Sequence, residues 1–255
     1  MEGLTDKEYW DNEYTPGKKL SGIKQKIRNI LFKRNRIIMF LCRHIKANNA
    51  KSVLEIGCYP ANYLEMVAKM GYEVSGIDIA SKTSELLPRF ESKGYKIGEF
   101  IEADVFSHKY DKTFDCVYSL GFIEHFLDFE NVLLRHTDLV SQNGLVIITA
   151  PNLKNNRWLW MNNKYRPTWR ESHNIEAINL EKWKEVLTGA GFDIKFCGYF
   201  GEFYAYNGMH LKKSSKLKRY LLKLFRVFSL LMPTWLDCKS EKYASFLGIV
   251  AKKMN

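Results

Sequence analysis

A chain of 255 residues is long enough for one large domain with its own core, and 46% hydrophobic residues with 14% aromatics exclude a disordered or fibrous protein. Five cysteines (Cys42, Cys58, Cys116, Cys197, Cys238), odd in number and without a CxxC pair, argue against a disulfide framework or a zinc site and suit a reducing cytoplasm. The net charge of +11 is unevenly placed: 11 Lys or Arg and no acid separate Tyr14 from Leu54, and 7 with no acid separate Phe203 from Leu236. The remaining chain holds 21 basic against 28 acidic side chains, so an acidic domain carries two cationic attachments suited to phosphate-bearing partners.

The first stretch, "MEGLTDKEYWDNEY", is acidic and polar, unlike a secretory leader. Apolar runs such as Ile37 to Cys42 are too short to span a bilayer, so the expected location is cytoplasmic, with peripheral contact at the inner membrane face as an option. Ile23, Ile27, Ile30 and Leu31, followed by "RIIMFLCRHI", give residues 1–49 the character of a basic helical cap. From residue 50 onward, strands and helices alternate. Val53–Gly57 reads as a strand, Ala61–Met70 as a helix closed by Gly71, Glu73–Ile77 as a strand and Ser81–Lys93 as helical. Phe100–Ala103 and Phe114–Tyr118 follow as strands, then a helix over Phe129–Leu139 and a buried strand, "GLVIITA", at 144–150. A helix over Leu180–Ala190, then "FDIKFCG" and "SFLGIVAKK", complete the series. Such alternation predicts an α/β domain over 50–255: a mostly parallel sheet with helices on both faces. Residues 153–178 form an expected acceptor-site lid, and residues 199–240 a basic amphipathic insert.

Ligands in such sheets bind beyond the carboxyl ends of the strands. Glu55 and Gly57 close the first strand, and Asp78 closes the second at the distance where a carboxylate can take both hydroxyls of a ribose. Asp104 closes the third, and Ser119 and Leu120 the fourth. "VLEIGC", "GIDI", "EADVF", "FDCVYSLGFIEHFLD" and "NGLVIITAPN" together resemble the class I S-adenosylmethionine-dependent methyltransferases over residues 50 to 152. The resemblance implies a Rossmann-like seven-stranded sheet whose last strand is antiparallel. It implies S-adenosylmethionine as cofactor, held by Glu55, Gly57, Cys58, Tyr59, Asp78, Ile79, Asp104, Val105, Ser119 and Leu120. "YWDNEY" and "GCYPANYL" are similar to methyltransferases of bacterial surface-glycan (O-antigen and capsule) pathways. That implies an acceptor hydroxyl on a sugar within a glycan, nucleotide-sugar or lipid-linked intermediate. Tyr59 and Ala61 stand where dinucleotide motifs carry glycines, but this cofactor has no pyrophosphate to accommodate. A decayed, non-catalytic site is the alternative reading of that turn.

Deprotonating an alcohol favours a histidine near neutral pH. His125, after the fourth strand, and His173, in the loop before the 180–190 helix, are the candidate bases; a packing role for each is the alternative. Ubiquinone-pathway O-methyltransferases resemble the Glu124–His125 segment and carry a further glutamate three residues earlier, where this chain has Gly121. Two adjacent ligands are too few, so no metal is expected. Trp158, Trp160, Trp169 and Arg170 suit either a sugar-stacking acceptor site or a packed lid. Leu217, Leu221, Leu224 and Phe228 form a stripe that suits either a domain cap or an interfacial helix on an anionic membrane. An RNA methyltransferase is the rival function. No RNA-binding module and no Asn-Pro-Pro-Tyr-like motif is present, so no specific nucleic acid is expected.

Overall fold

The structure, a computed structural model, describes residues 3–14, 35–47, 49–165, 167–201, 220, 224 and 237–254. The central strand β1, Ser52–Ile56, is buried from Val53 onward on both faces, as a strand covered by helices must be. It pairs in parallel with β2 (Glu73–Asp78) and with β4 (Phe114–Leu120). β3 (Ile97–Glu102) extends the sheet beyond β2, and β5 (Val140–Pro151) extends it beyond β4, both in parallel. The last strand, β7 (Phe246–Lys253), inserts antiparallel between β5 and β6 (Phe192–Phe200). The order is therefore β3-β2-β1-β4-β5-β7-β6, with the topological switch between β1 and β4. This is the seven-stranded arrangement expected from the sequence.

Apolar residues from both sheet faces form two cores. On one face Leu54, Ile56, Val117 and Ile148 pack with Val132, Leu133, Trp183 and Leu187 of the helices α5 (Phe129–Asp138) and α7 (Leu180–Gly189). On the other, Val53, Cys116, Tyr118 and Ile147 pack with Leu64 and Val67 of α3 (Asn62–Ala68) and Leu86 and Phe90 of α4 (Leu86–Glu91). Leu41 and Ile45 of α2 (Arg36–Ala47) are buried in that same core, so this part of residues 1–49 packs directly on the sheet. Its Arg36 lies 3.2 Å from Asp237, near the other end of the chain.

Local chemistry sets the helix starts. Asp128 caps α5 by accepting from Asn131 N at 3.2 Å, and Asn179 caps α7 by accepting from Lys182 N at 3.1 Å. The expected helix over Ser81–Lys93 is instead a 3-10 turn, Ser81–Glu85, followed by the short α4. Pro88 falls in the first turn of α4, where its missing N–H costs no helical bond. β5 starts at Val140 rather than 144, because Val140 pairs with Phe114 across a register shift. Most of the 199–240 insert, including Leu217, Leu221 and Phe228, lies outside the described residues, as do residues 15–34. Among the described residues, no helix is long and apolar enough to cross a membrane.

Candidate active site

A cavity of about 320 Å³ opens at the switch point, above the carboxyl ends of β1, β2 and β4. The turn after β1 forms its rim. Gly57 N and Cys58 N both donate to Ile77 O, at 2.9 and 3.2 Å, which ties this turn to β2. Gly57 has φ +72°, and a Cβ there would lie 2.8 Å from the Phe122 ring. Conformation and close approach therefore both demand glycine. Ala61, with φ 59°, then opens α3.

Asp78 braces the same rim. Its two carboxylate oxygens accept from Tyr59 N at 2.8 Å and Ala80 N at 2.9 Å. Each oxygen keeps a second lone pair. Burial raises the Asp78 carboxyl above its usual range, opposed by those backbone donors. Glu55 is buried at the same cavity, which pushes its carboxyl well up, opposed by hydrogen bonds from the Tyr118 hydroxyl and the Leu64 backbone. Two carboxyl groups thus line the cavity. Ile79, Ala103, Val105 and Phe122 make an apolar side. A ribose and a flat heterocycle have these two requirements, so the residues present fit a nucleoside cofactor.

Nine of the ten expected cofactor residues line this cavity: Glu55, Gly57, Cys58, Tyr59, Asp78, Ile79, Asp104, Val105 and Leu120. Asp104 lies two residues past the end of β3, in a turn where its Oδ1 accepts from Phe106 N at 3.0 Å. Ser119 is the exception. It is wholly buried within β4 and does not line the cavity, because successive strand residues face opposite sides and Leu120 takes the cavity-facing position.

His125 sits in the 3-10 turn Ile123–His125 and borders the cavity. Its Nδ1 lies 2.7 Å from Ser172 O. A carbonyl only accepts, so Nδ1 carries the proton and Nε2 presents a lone pair. Burial, and then His173, push the imidazole down to about 3, which keeps it neutral. Nε2 is 4.0 Å from Glu124 Oε1, too far for a hydrogen bond. Burial pushes the Glu124 carboxyl up to about 8. Gly121 leaves no side chain over this pair, and a Cβ there would lie 3.2 Å from Glu124 Oε1. Among the described residues, no group of three His, Cys, Asp or Glu side chains could hold a metal ion.

His173 does not line the cavity. It stands behind His125, ring centres 4.8 Å apart, with its Nδ1 2.8 Å from Trp169 O. The four residues expected at the acceptor site also lie elsewhere. Trp169 is 2% exposed, donates to Asn163 Oδ1 at 2.9 Å and meets Trp158 edge-on, so these two rings pack the core. Trp160 is 57% exposed beside Lys164, and Arg170 covers the Trp169 ring. The lining residues that sequence reasoning missed include Gly3, Thr5, Trp10, Tyr14, Phe122 and Phe126. The signal for two of them was present: Trp10 and Tyr14 are four residues apart and share one helical face.

The sheet order and the cavity at its switch point define a Rossmann-like nucleoside-binding protein. The family model described as "Methyltransferase domain" matches residues 30–195, and the chain belongs to that family. It is a class I S-adenosylmethionine-dependent methyltransferase. A ubiquinone biosynthesis O-methyltransferase of Rickettsia prowazekii is 25% identical over 177 residues, covering 65% of this chain and 70% of the relative. Another, from Thiobacillus denitrificans, is 30% identical over 104 residues, covering 40% and 45%. In fold, the chain is similar to a putative sarcosine dimethylglycine methyltransferase from Galdieria sulphuraria, with TM-score 0.58, 14% identity and 86% of each chain covered. It is also similar to magnesium protoporphyrin IX methyltransferase from Synechocystis with bound S-adenosylmethionine, with TM-score 0.52, 15% identity and 96% and 89% covered.

Proposed function

We propose that the chain transfers a methyl group to a hydroxyl oxygen, with His125 as the base. The carrying observation is the tautomer: Ser172 O holds the Nδ1 proton at 2.7 Å, leaving Nε2 as a proton acceptor on the cavity wall. S-adenosylmethionine, when bound, supplies an electrophilic methyl group on a sulfonium. Asp78 and Glu55 would take the ribose hydroxyls, and Ile79 and Val105 would flank the adenine. Phe122 excludes water from the rim. His125 Nε2 takes the acceptor's proton as the new O–C bond forms. One positive charge is then lost from the sulfonium and one gained by the imidazole, so the cavity's net charge is unchanged.

The acceptor expected from the sequence is a sugar hydroxyl, with Trp158, Trp160 and Trp169 either stacking on it or packing a lid against the core. Those rings do not border the cavity, whereas Trp10, Phe122 and Phe126 do. Together with relatives named for ubiquinone biosynthesis, this aromatic wall favours a hydroxyl on a flat, largely apolar ring. A labelled-methyl assay with two acceptor panels, ring phenols and sugar intermediates, tests the reading. Phenol methylation that falls by about 10²–10⁴-fold in His125→Ala, with cofactor affinity kept, is expected. Label entering sugars alone would return the acceptor to the glycan class. An unimpaired His125→Ala would remove the base.

A further inference from the structure

We propose that Arg135 is a positioning residue of the cofactor site: it clamps the turn after β3 by two carbonyls and so seats Val105 against the adenine. The inference rests on the reading that Val105 flanks the adenine. Arg135 stands in the last turn of α5, beside the buried Val132 and His136. A cation there also faces the negative end of the helix. Its Nε donates to Val105 O at 2.8 Å, and a terminal nitrogen donates to His108 O at 2.6 Å. Both carbonyls lie outside the helices and strands, so no backbone ladder serves them. Only a planar, forked donor meets two carbonyls at once, and a lysine in its place offers a single point of charge.

The turn builds its own curl but not its own attachment. Asp104 Oδ1 accepts from Phe106 N at 3.0 Å, and Asp104 O accepts from Ser107 N at 3.1 Å and His108 N at 3.0 Å. Those bonds bend the chain without tying it to the rest of the fold. Ala103 N fixes the entry by donating to Asp78 O at 3.0 Å. Beyond that point Arg135 supplies the polar anchor, and the Phe106 ring adds an edge contact with Phe126 at 5.6 Å. Val105 is 4% exposed and lines the cavity. One residue thus gives its side chain to the cofactor site and its carbonyl to the guanidinium, so neither moves alone. Arg135 itself does not border that cavity; it borders a separate open cleft with Phe106, His108 and Tyr110. Asp138, at 4.0 Å from its other terminal nitrogen, is too distant to compete for it through a hydrogen bond. Arg135 therefore acts on the cofactor only through the turn that it holds.

The test is a double-mutant cycle, read by calorimetric titration of the full chain with S-adenosylhomocysteine. Arg135→Met keeps the stem, removes the donors and should weaken binding by about tenfold or more. Val105→Ala should weaken it too, and adding Arg135→Met to Val105→Ala should then cost less than about threefold. Arg135→Lys keeps both stem and charge, and takes over the cycle if Arg135→Met does not fold. It should still bind about fivefold or more weakly than the parent. Backbone hydrogen exchange gives an independent reading. The amides of Phe106, Ser107 and His108 should exchange about tenfold faster in Arg135→Lys, while those of α5 keep the parent rate. Parent affinity in Arg135→Lys, or losses that simply add in the cycle, overturns the clamp. Faster exchange throughout α5 and the sheet overturns it as well, since Arg135 then supports the fold at large. No binding by the parent, or unchanged binding in Val105→Ala, instead overturns the adenine reading beneath it, a distinguishable failure.

Discussion

Asp78 has two jobs, and a single substitution separates them. Its carboxylate accepts two backbone N–H groups and faces the cavity with what remains. Asp78→Ala should weaken S-adenosylhomocysteine binding by about 1–3 kcal/mol in calorimetry, the loss expected when buried donors go unsatisfied. It should also loosen the Tyr59 turn, visible as faster exchange at Tyr59 N. Glu124 makes a different prediction. Its carboxyl titrates near 8 in the fold against an ordinary 4.5, because it is wholly buried. A raised value means that its contribution is complete below about pH 4.5 and is lost as pH rises through 8. Denaturation midpoints should therefore fall from pH 5 to pH 9 more steeply in the parent than in Glu124→Gln. Equal slopes would mean that the carboxyl is solvated. At this scale the sequence was legible where spacing sets position: strand ends placed Glu55, Asp78 and Asp104. It was not legible for Ser119, whose side depends on the pleat register, or for Trp158 and Trp169. Aromatic rings in a loop look alike whether they are to meet a ligand or a core.

Among the elements, the turn after β1 is the least tolerant of change. Gly57→Ala combines a positive φ with a Cβ driven into Phe122, so a loss of about 2–4 kcal/mol is expected in urea unfolding. Cofactor affinity should fall as well, since the Phe122 ring must move. Wild-type stability in that variant would mean that the Phe122 side of the cavity yields freely. The strands were readable because buried runs such as "GLVIITA" carry their own signal. The N-terminal helix α1, Lys7–Glu13, was missed although Trp10 and Tyr14 share one face, because seven residues are too few to establish an apolar period. The start of β5 was missed for a related reason: "SQNG" reads as a turn, and only pairing of Val140 with Phe114 makes it strand.

For the whole molecule, the uneven placement of charge is the feature that stands out. Eighteen of 39 cationic side chains fall in two stretches, and most of those residues lie outside the described ones. The expected outcome is co-sedimentation with anionic vesicles, weakened by salt and separately by Leu221→Asp, alongside only loose RNA binding. Tight binding to a structured RNA with no vesicle association would favour the rival function. The strand order carries a separate consequence, for the timing of biosynthesis. β7 supplies the hydrogen bonds that join β6 to β5, yet it leaves the ribosome after both of them. Strands β1 to β5, and the floor of the cavity with them, can associate as they emerge, while β5 waits with one edge unpaired and β6 with no partner strand. The nascent chain thus spends the interval from residue 201 to residue 246 with a half-built sheet, exposed to chaperones and to aggregation, until the eight-residue β7 closes the gap.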